Sequence, residues 1–294
     1  MSVTVALIKE LREMTGAGIM DAKKALTETN GNVEEAVTYL RKQGMAASAK
    51  KADRIAAEGI TSIKTDGNTA VVFEVNAETD FVARNENFLD MVEVIGNALL
   101  ASDVTTTEEA LALVVGGETI EEMIIQATAT IGEKISFRRV ARIVKTDEEV
   151  FGTYVHTGGR ISTVVVGTSA DAAVINNVAM QVASMNPKYV SREDIAEEDL
   201  NKEKEIQLSI LENDESLKGK PEAVLNGIIQ GRISKTMKDF TLVDQDFIID
   251  AKLSVGQYLK NNNATVVSFT RFELGEGIEK RVEDFAAEVS AQLK

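Results

Sequence analysis

The chain has 294 residues, of which 44% are hydrophobic, carries a net charge of −15, and contains neither cysteine nor tryptophan. Its length predicts two or more domains, and the lack of cysteine excludes disulfides and thiolate chemistry. The acidic charge argues against general binding to naked nucleic acid, which requires a basic face.

The sequence carries no signal for membrane insertion or for a metal centre. No run of about 18 apolar residues predicts a membrane span, and residues 1–5 lack the basic start of a secretory signal. Together with the lack of cysteine, this favours a cytoplasmic protein. The single histidine, His156, cannot build a His/Cys metal cluster. We therefore expect neither a bound metal nor a cofactor.

The first 45 residues predict three short helices. Apolar residues recur at helical spacing over residues 3–14, and Gly16 and Gly18 follow as a helix stop. Asp21 then reads as the N-cap of the second helix.

The third helix has a capping signal at its start. Asn32 followed by Glu35 resembles a capping pair, and we expect this helix to stop at Gly44. Residues 46–57, rich in Ala and Lys, then predict a connecting helix or linker.

Two later segments share a plan in which a hairpin precedes a helix. The first hairpin turns at an Asp-Gly pair (residues 66–67) and the second at a Gly-Gly pair (residues 158–159). Such pairs between β-rich runs are strong hairpin signals. We interpret the two segments as an internal duplication.

The two copies differ where the hairpin meets its helix. The second has a short link, residues 167–171, whereas the first has a longer run, residues 76–85. In that run an apolar pair at residues 81–82 lies between Asp80 and Arg84. The pair either packs into the local core or belongs to a loop that holds an aromatic ring and a carboxylate out to a partner. Extra residues at equivalent positions are a reasonable place for function.

Between the copies, Thr119 and Glu122 form a capping-box pattern before a helix that ends at Gly132. The alternating run 135–144 predicts a strand, and we interpret its three arginines as a solvated face.

The last third of the chain is predicted to be mainly helical. Residues 195–240 indicate a helical hairpin that turns at residues 218–221, with apolar stripes that can be buried only against each other or a partner. A strand at residues 266–273 follows. The chain then ends in an amphipathic helix carrying Val282, Phe285 and Val289.

Enzymatic function is the less favoured class. The phosphate-binding loop, the Gly-x-Gly-x-x-Gly motif and the Gly-x-Ser-x-Gly motif are all missing from the sequence. His156 stands between a strand and a Gly-Gly turn, where histidine is typically a packing or hydrogen-bonding residue. We expect no catalytic residue.

The run Leu11–Leu26, LREMTGAGIMDAKKAL, closely resembles the start of the bacterial translation elongation factor Ts family. That family pairs this run with Thr-Asp-Phe-Val after a strand, present here as Thr79 to Val82, and with a tail like residues 272–280. Further matches lie at residues 131–133, 138–140 and 154–161. The resemblance covers the whole chain in order.

The resemblance implies an α+β fold. Its predicted parts are a UBA-like three-helix domain (1–45), a linker (46–57), two duplicated antiparallel sheet-plus-helix subdomains (58–145 and 146–274), a protruding coiled-coil hairpin within the second (195–240), and a C-terminal helical module (275–294).

The resemblance also implies a function, guanine-nucleotide exchange on elongation factor Tu. In the family an aspartate-phenylalanine pair wedges into the partner and disturbs its Mg²⁺ and phosphate site. This implies Asp80 and Phe81 here, with Thr79 and Val82 in the same partner-binding motif.

Other partner contacts carry over from the family less directly. They are Ile19 and Met20 as an apolar bulge, Lys23 and Lys51 toward acidic groups of the partner, and His156 in a Tyr-x-His segment. For the first two residues the alternative is the core of the small domain. For the lysines it is a solvated surface.

Two departures and two rival classes remain open. Ala22 stands where the family commonly has cysteine, and Gln181 stands where many members have histidine. One rival is an adaptor whose three-helix head recruits a partner, and the other is a hydrolase using carboxylates and His156. A homodimer formed through the helical hairpin is also left open.

Overall fold

The computed structural model describes residues 3–214 and 220–279. Helices and antiparallel sheets occur together in it, which confirms the α+β class. The predicted helix with Val282, Phe285 and Val289 lies outside the described residues, as does the start of the predicted turn at 218–221. In the two described ranges, no helix has the length and apolar character that a membrane crossing would need.

Three helices form the N-terminal head. They are α1 (Val5–Thr15), α2 (Ile19–Glu28) and α3 (Val33–Lys51). Their shared core consists of small and medium apolar side chains that are fully buried: Leu11, Ala22, Ala25, Leu26 and Ala36. The departure at Ala22 therefore lies in the core of the head, where its methyl group is fully buried.

The predicted caps of the head are confirmed except at α2. Gly16 ends α1 in the left-handed conformation, with φ 67°, and Asn32 accepts the backbone N–H of Glu35 at the start of α3. The assignment of Asp21 as N-cap is wrong. Gly18 occupies that position in an extended conformation, and Asp21 lies inside the first turn, where its charge still favours the helix dipole.

The predicted stop of α3 at Gly44 is also wrong. The helix continues to Lys51, and Gly44 is buried in its interior. A Cβ at this position would lie 3.5 Å from Cβ of Ala129 and 3.7 Å from Cγ2 of Ile125. These are ordinary van der Waals distances, so α3 packs against a helix of the core with room for a methyl group, and this tertiary contact keeps the helix intact despite the low helix propensity of glycine.

The first sheet of the core contains three antiparallel strands in the order β1-β2-β5. These are β1 (Glu58–Asp66), β2 (Thr69–Ala77) and β5 (Ser136–Val144). The other elements of this half are α4 (Glu86–Leu100), α5 (Thr107–Ala112), the short pair β3 (Val114–Val115) and β4 (Glu118–Thr119), and α6 (Ile120–Ile131). The capping box at Thr119 and Glu122 and the end of α6 at Gly132 are confirmed.

The second sheet repeats this plan with the order β6-β7-β8. Its strands are β6 (Val150–His156), β7 (Ile161–Thr168) and β8 (Thr265–Glu273), with α7 (Ala172–Met185) and α10 (Val255–Asn261) beside them. Both predicted hairpins are confirmed. In each sheet the third strand pairs with the second, and the register shifts late in the middle strand, at Glu74/Val75 and at Val166/Gly167. This shared plan supports the proposed duplication.

The two sheets meet through a small apolar layer. It is formed by Ala70, Val72, Val164 and Phe272. On the opposite face of the first sheet, alternate residues of β2 such as Val71 and Phe73 pack against α4 and α6. The opposite face of the second sheet packs against α7 and α10. The core is therefore layered as helices, sheet, sheet and helices.

The helical hairpin consists of α8 (Glu197–Asn213) and α9 (Glu222–Phe240). Burial of the predicted apolar stripe holds only in part for α9, where Ile229 and Met237 are buried but Val224 is 46% exposed. It fails for α8, which presents Glu203 and Gln207 inward, joined at 2.7 Å. Three apolar side chains of α8 are exposed instead: Ile206, Leu208 and Ile210.

The arginines of β5 do not form a solvated face, which corrects the prediction. Arg138 and Arg139 both bind the carboxylate of Glu74, which is fully buried, at 3.0 and 2.6 Å. Arg142 pairs with Asp103 at 3.3 Å and is only 14% exposed at its side chain. The alternating pattern placed these residues on a strand, but it contained no information about the acidic side chain that they meet.

Candidate functional site

The candidate site is the turn that follows β2, residues 79–82 (the 79–82 turn). The buried strand β2 ends at Ala77, and a short 3-10 segment, Val82–Arg84, leads into α4. Asn85 caps α4 by accepting the backbone N–H of Phe88. The turn is thus fixed at both ends by regular structure that belongs to the core.

The apolar pair of the 79–82 turn is divided between core and solvent. Val82 is buried in the core beneath the first sheet, whereas Phe81 is 80% exposed. Of the two alternatives left open by the sequence, packing therefore holds for Val82 and exposure for Phe81. Val82 was predicted as part of the partner-binding motif, and its burial indicates that it anchors the turn.

Asp80 faces solvent beside Phe81. Its carboxylate pairs with Arg84 at 3.1 Å, and the side chains are 50% and 79% exposed. An ion pair this exposed is worth about 0–1 kcal/mol. Asp80 is therefore free to exchange Arg84 for another partner at little cost.

Thr79 is bound from the opposite side by Glu133. The carboxylate of Glu133 accepts the Thr79 backbone N–H at 3.0 Å and the Thr79 hydroxyl at 2.8 Å. Glu78, which precedes Thr79 in the chain, accepts the backbone N–H of Lys134 at 2.5 Å and also pairs with Arg54. The two carboxylates thus lie on either side of the point where residues 78–79 and 133–134 meet.

The remaining predicted contact residues lie on other elements. Ile19 and Met20 are 57% and 73% exposed at the start of α2, so the alternative of a head-core role does not hold for them. Lys23 is exposed on the same helix. Lys51, at the end of α3, points its ammonium toward the Thr128 carbonyl at 3.5 Å. His156 is exposed at the end of β6, where Nδ1 lies 3.1 Å from the Tyr154 hydroxyl.

Three residues that hold the 79–82 turn were not predicted from the sequence. Glu78, Glu133 and Lys134 hold the turn, yet no periodicity marks them. The one available signal was the matched run at residues 131–133, which received no role.

A groove of about 340 Å³ lies between the end of α1 and the core helices α4 and α6. Its lining includes Met14, Asn87, Asp90, Glu118 and Met123.

Burial raises the pKa of Glu118 above its ordinary value, and the charge of Arg41 opposes this rise. Among the described residues, no group of three or more His, Cys, Asp or Glu side chains is arranged to hold a metal ion.

Comparison with known proteins relates this amino-acid sequence to a family. The family model described as "Elongation factor TS" matches residues 78–276, which begin one residue before the 79–82 turn and end in the segment after β8. A protein named "Elongation factor Ts" from Acholeplasma laidlawii (strain PG-8A) is 52% identical over 294 residues, covering 100% of this chain and 99% of that relative.

Proposed function

The chain belongs to the elongation factor Ts family, a family of translation elongation factors, and on that premise we propose that it is a guanine-nucleotide exchange factor for elongation factor Tu. The observation that carries the proposal is the 80% exposure of Phe81 on a turn that is fixed from both sides. A large aromatic ring held in water is a ready source of binding energy for a partner.

The proposed mechanism is local displacement in the partner. A GTPase holds GDP through contacts to its phosphates and through Mg²⁺, which requires near-ideal octahedral geometry. A ring that enters between the elements shaping that site displaces the metal ligands by small distances and weakens nucleotide binding. Full burial of a Phe side chain provides about 1.5–3 kcal/mol toward this displacement.

Asp80 adds polar contacts that disfavour the partner's Mg²⁺ arrangement. Its exposed pair with Arg84 can open during docking. By linkage, a factor that weakens GDP binding must itself be bound more weakly in the presence of GDP. The factor therefore accelerates release without selecting the nucleotide, and the excess of GTP gives the cycle its direction.

A second contact region supports a broad interface. Ile19 and Met20 form an exposed apolar pair on α2, with Lys23 one turn further along. Lys51 and His156 are further contact candidates on α3 and β6. In this account the chain makes and breaks no covalent bonds, uses no cofactor of its own, and acts in the cytoplasm on a protein partner, not on nucleic acid or a membrane. A homodimer remains part of the proposal.

The alternative function is that of an adaptor, because the exposed Ile19 and Met20 could recruit a partner by themselves. Release of fluorescent GDP from elongation factor Tu separates the classes. An exchange factor accelerates release well above the spontaneous rate, whereas an adaptor binds without acceleration. A hydrolase would instead show substrate turnover that is lost on His156→Ala. Unchanged GDP release with the folded wild type would overturn the proposal.

A further inference from the structure

Glu78 and Glu133 each accept hydrogen bonds from the residue that follows the other in the chain. Glu78 accepts the backbone N–H of Lys134, and Glu133 accepts the backbone N–H and hydroxyl of Thr79. Each carboxylate thus binds the residue adjacent to the other. We call this arrangement the reciprocal clamp. It joins the start of the 79–82 turn to the end of α6, 54 residues further along the chain.

The clamp matters because the exposed ring cannot hold itself in place. Phe81 is 80% exposed, so packing does little to fix its direction. The orientation of the ring therefore depends on how the backbone is held before and after Phe81. Val82 fixes the following side by burial in the core, and the clamp fixes the preceding side. Charge-assisted hydrogen bonds are roughly twice as strong as neutral ones, which suits them to a half-exposed turn.

Lys134 extends the clamp toward the head. Its ammonium binds the carbonyl oxygens of Ala52 and Arg54, at 2.5 and 2.9 Å, directly after α3. Arg54 in turn pairs with Glu78 at 3.2 Å. The same few residues therefore hold the turn and the segment that connects the head to the core.

We infer that Glu78 and Glu133 are positioning residues of the exchange reaction, which preorganise Phe81 before the partner arrives. This inference rests on the proposed function. A preorganised group loses less freedom on binding, and a misplacement of about 1 Å can lower a rate about 100-fold. The clamp therefore acts on the maximal exchange rate more than on the affinity for the partner, because the head contacts remain available.

The first test follows the turn itself, without the partner. The chain contains no tryptophan, so Phe81→Trp introduces a single tryptophan at the exposed position, which can be excited selectively over the four tyrosines. Time-resolved anisotropy of this variant should report a restrained side chain. Adding Glu133→Ala should increase the fast, large-amplitude motion of the ring, whereas Glu121→Ala, a matched change at an exposed position of α6, should not. Equal restraint in both double variants would overturn the inference.

The second test measures GDP release as a function of factor concentration. Glu133→Ala should lower the maximal rate about tenfold with a smaller change in the half-saturating concentration. Glu133→Gln should restore most of the rate, because its amide can accept the Thr79 N–H and donate to the Thr79 hydroxyl. Thr79→Val combined with Glu133→Ala should be no slower than Glu133→Ala alone. A thermal melt confirms that each variant is folded.

The outcomes of the two tests separate this inference from the proposed function. If the wild type does not accelerate GDP release, the proposed function fails whatever the anisotropy shows. If the wild type is active and Glu133→Ala, folded, reaches the same maximal rate, the positioning role is wrong while the proposed function stands. A loss that appears only in the half-saturating concentration also contradicts the positioning role.

Discussion

The carboxylate of Glu74 accepts the backbone N–H of Gly275, 201 residues further along the chain, at 2.8 Å. Glu74 is fully buried between the sheets and also binds Arg138 and Arg139. Arg139 in turn donates to the Glu273 carbonyl and pairs with Glu276 at 3.1 Å. One buried acid on β2 thus holds the segment after β8 against the first sheet.

Removing that acid should therefore destabilise the core. Glu74→Ala leaves two partly buried guanidinium groups without their shared anion, and breaking a buried pair in this way costs about 3–5 kcal/mol. Urea denaturation measures the loss. Glu276→Ala is the control, since its half-exposed pair with Arg139 should contribute below about 1 kcal/mol. Equal effects of the two changes would show that Glu74 is not the centre of the cluster.

Two helical glycines should respond to alanine in opposite directions. At Gly44 a new Cβ meets Ala129 at an ordinary 3.5 Å, so Gly44→Ala should stabilise by up to about 1 kcal/mol through helix propensity. At Gly96 in α4 a new Cβ would lie 2.9 Å from Cζ of Phe73, so Gly96→Ala should destabilise by about 1–3 kcal/mol. Urea denaturation of the pair checks both. A destabilised Gly44→Ala would show that the contact between α3 and α6 leaves no room for the added methyl group.

These cases show what the sequence could and could not predict. Turn and capping signals are local, so the Asp-Gly and Gly-Gly hairpins and the Thr119 capping box are all confirmed. The errors lie where a distant contact decides. Gly44 reads as a stop until Ala129 packs against it, and Arg138 reads as solvated until Glu74 meets it.

At the candidate site, too, local signals were predictable and distant contacts were not. The unequal links of the two copies pointed to the 79–82 turn, and the family motif supplied Asp80 and Phe81. Neither could indicate that Val82 is buried or that Glu133 binds Thr79. Those contacts depend on the chain returning from α6, 54 residues later.

Glu118 should make stability depend on pH. Burial raises its pKa in the folded state, so the native protein binds more protons than the unfolded chain just above the ordinary value of 4.5. Stability from this group therefore falls as pH rises through that range, and at pH 7 the ionised side chain is unfavourable. Glu118→Gln should raise the melting temperature at pH 7 but hardly at about pH 4. The exposed Glu121→Gln should change neither, and a lower melting temperature for Glu118→Gln at pH 7 would contradict the expected sign.

Gln181 occupies a fully buried position and is the hydrogen-bonding centre of the segment after α9. Its amide donates to the Gln245 side chain at 3.1 Å and accepts the Ile248 backbone N–H at 2.9 Å. Gln181→Ala leaves these groups without this partner and should cost about 1–3 kcal/mol in urea denaturation. Gln230→Ala, at an exposed position on α9, should stay within about 0.5 kcal/mol. A neutral Gln181→Ala would show that the segment is held by other contacts.

The central claim is that the exposed ring of Phe81 drives nucleotide release. The direct measurement is the maximal rate of fluorescent GDP release from elongation factor Tu with wild type, Phe81→Ala, and the control Val267→Ala, an exposed apolar residue on β8. The account predicts a loss of about tenfold or more for Phe81→Ala, since a buried Phe ring is worth about 1.5–3 kcal/mol, and no change for Val267→Ala. A folded Phe81→Ala variant that releases GDP as fast as wild type would contradict it.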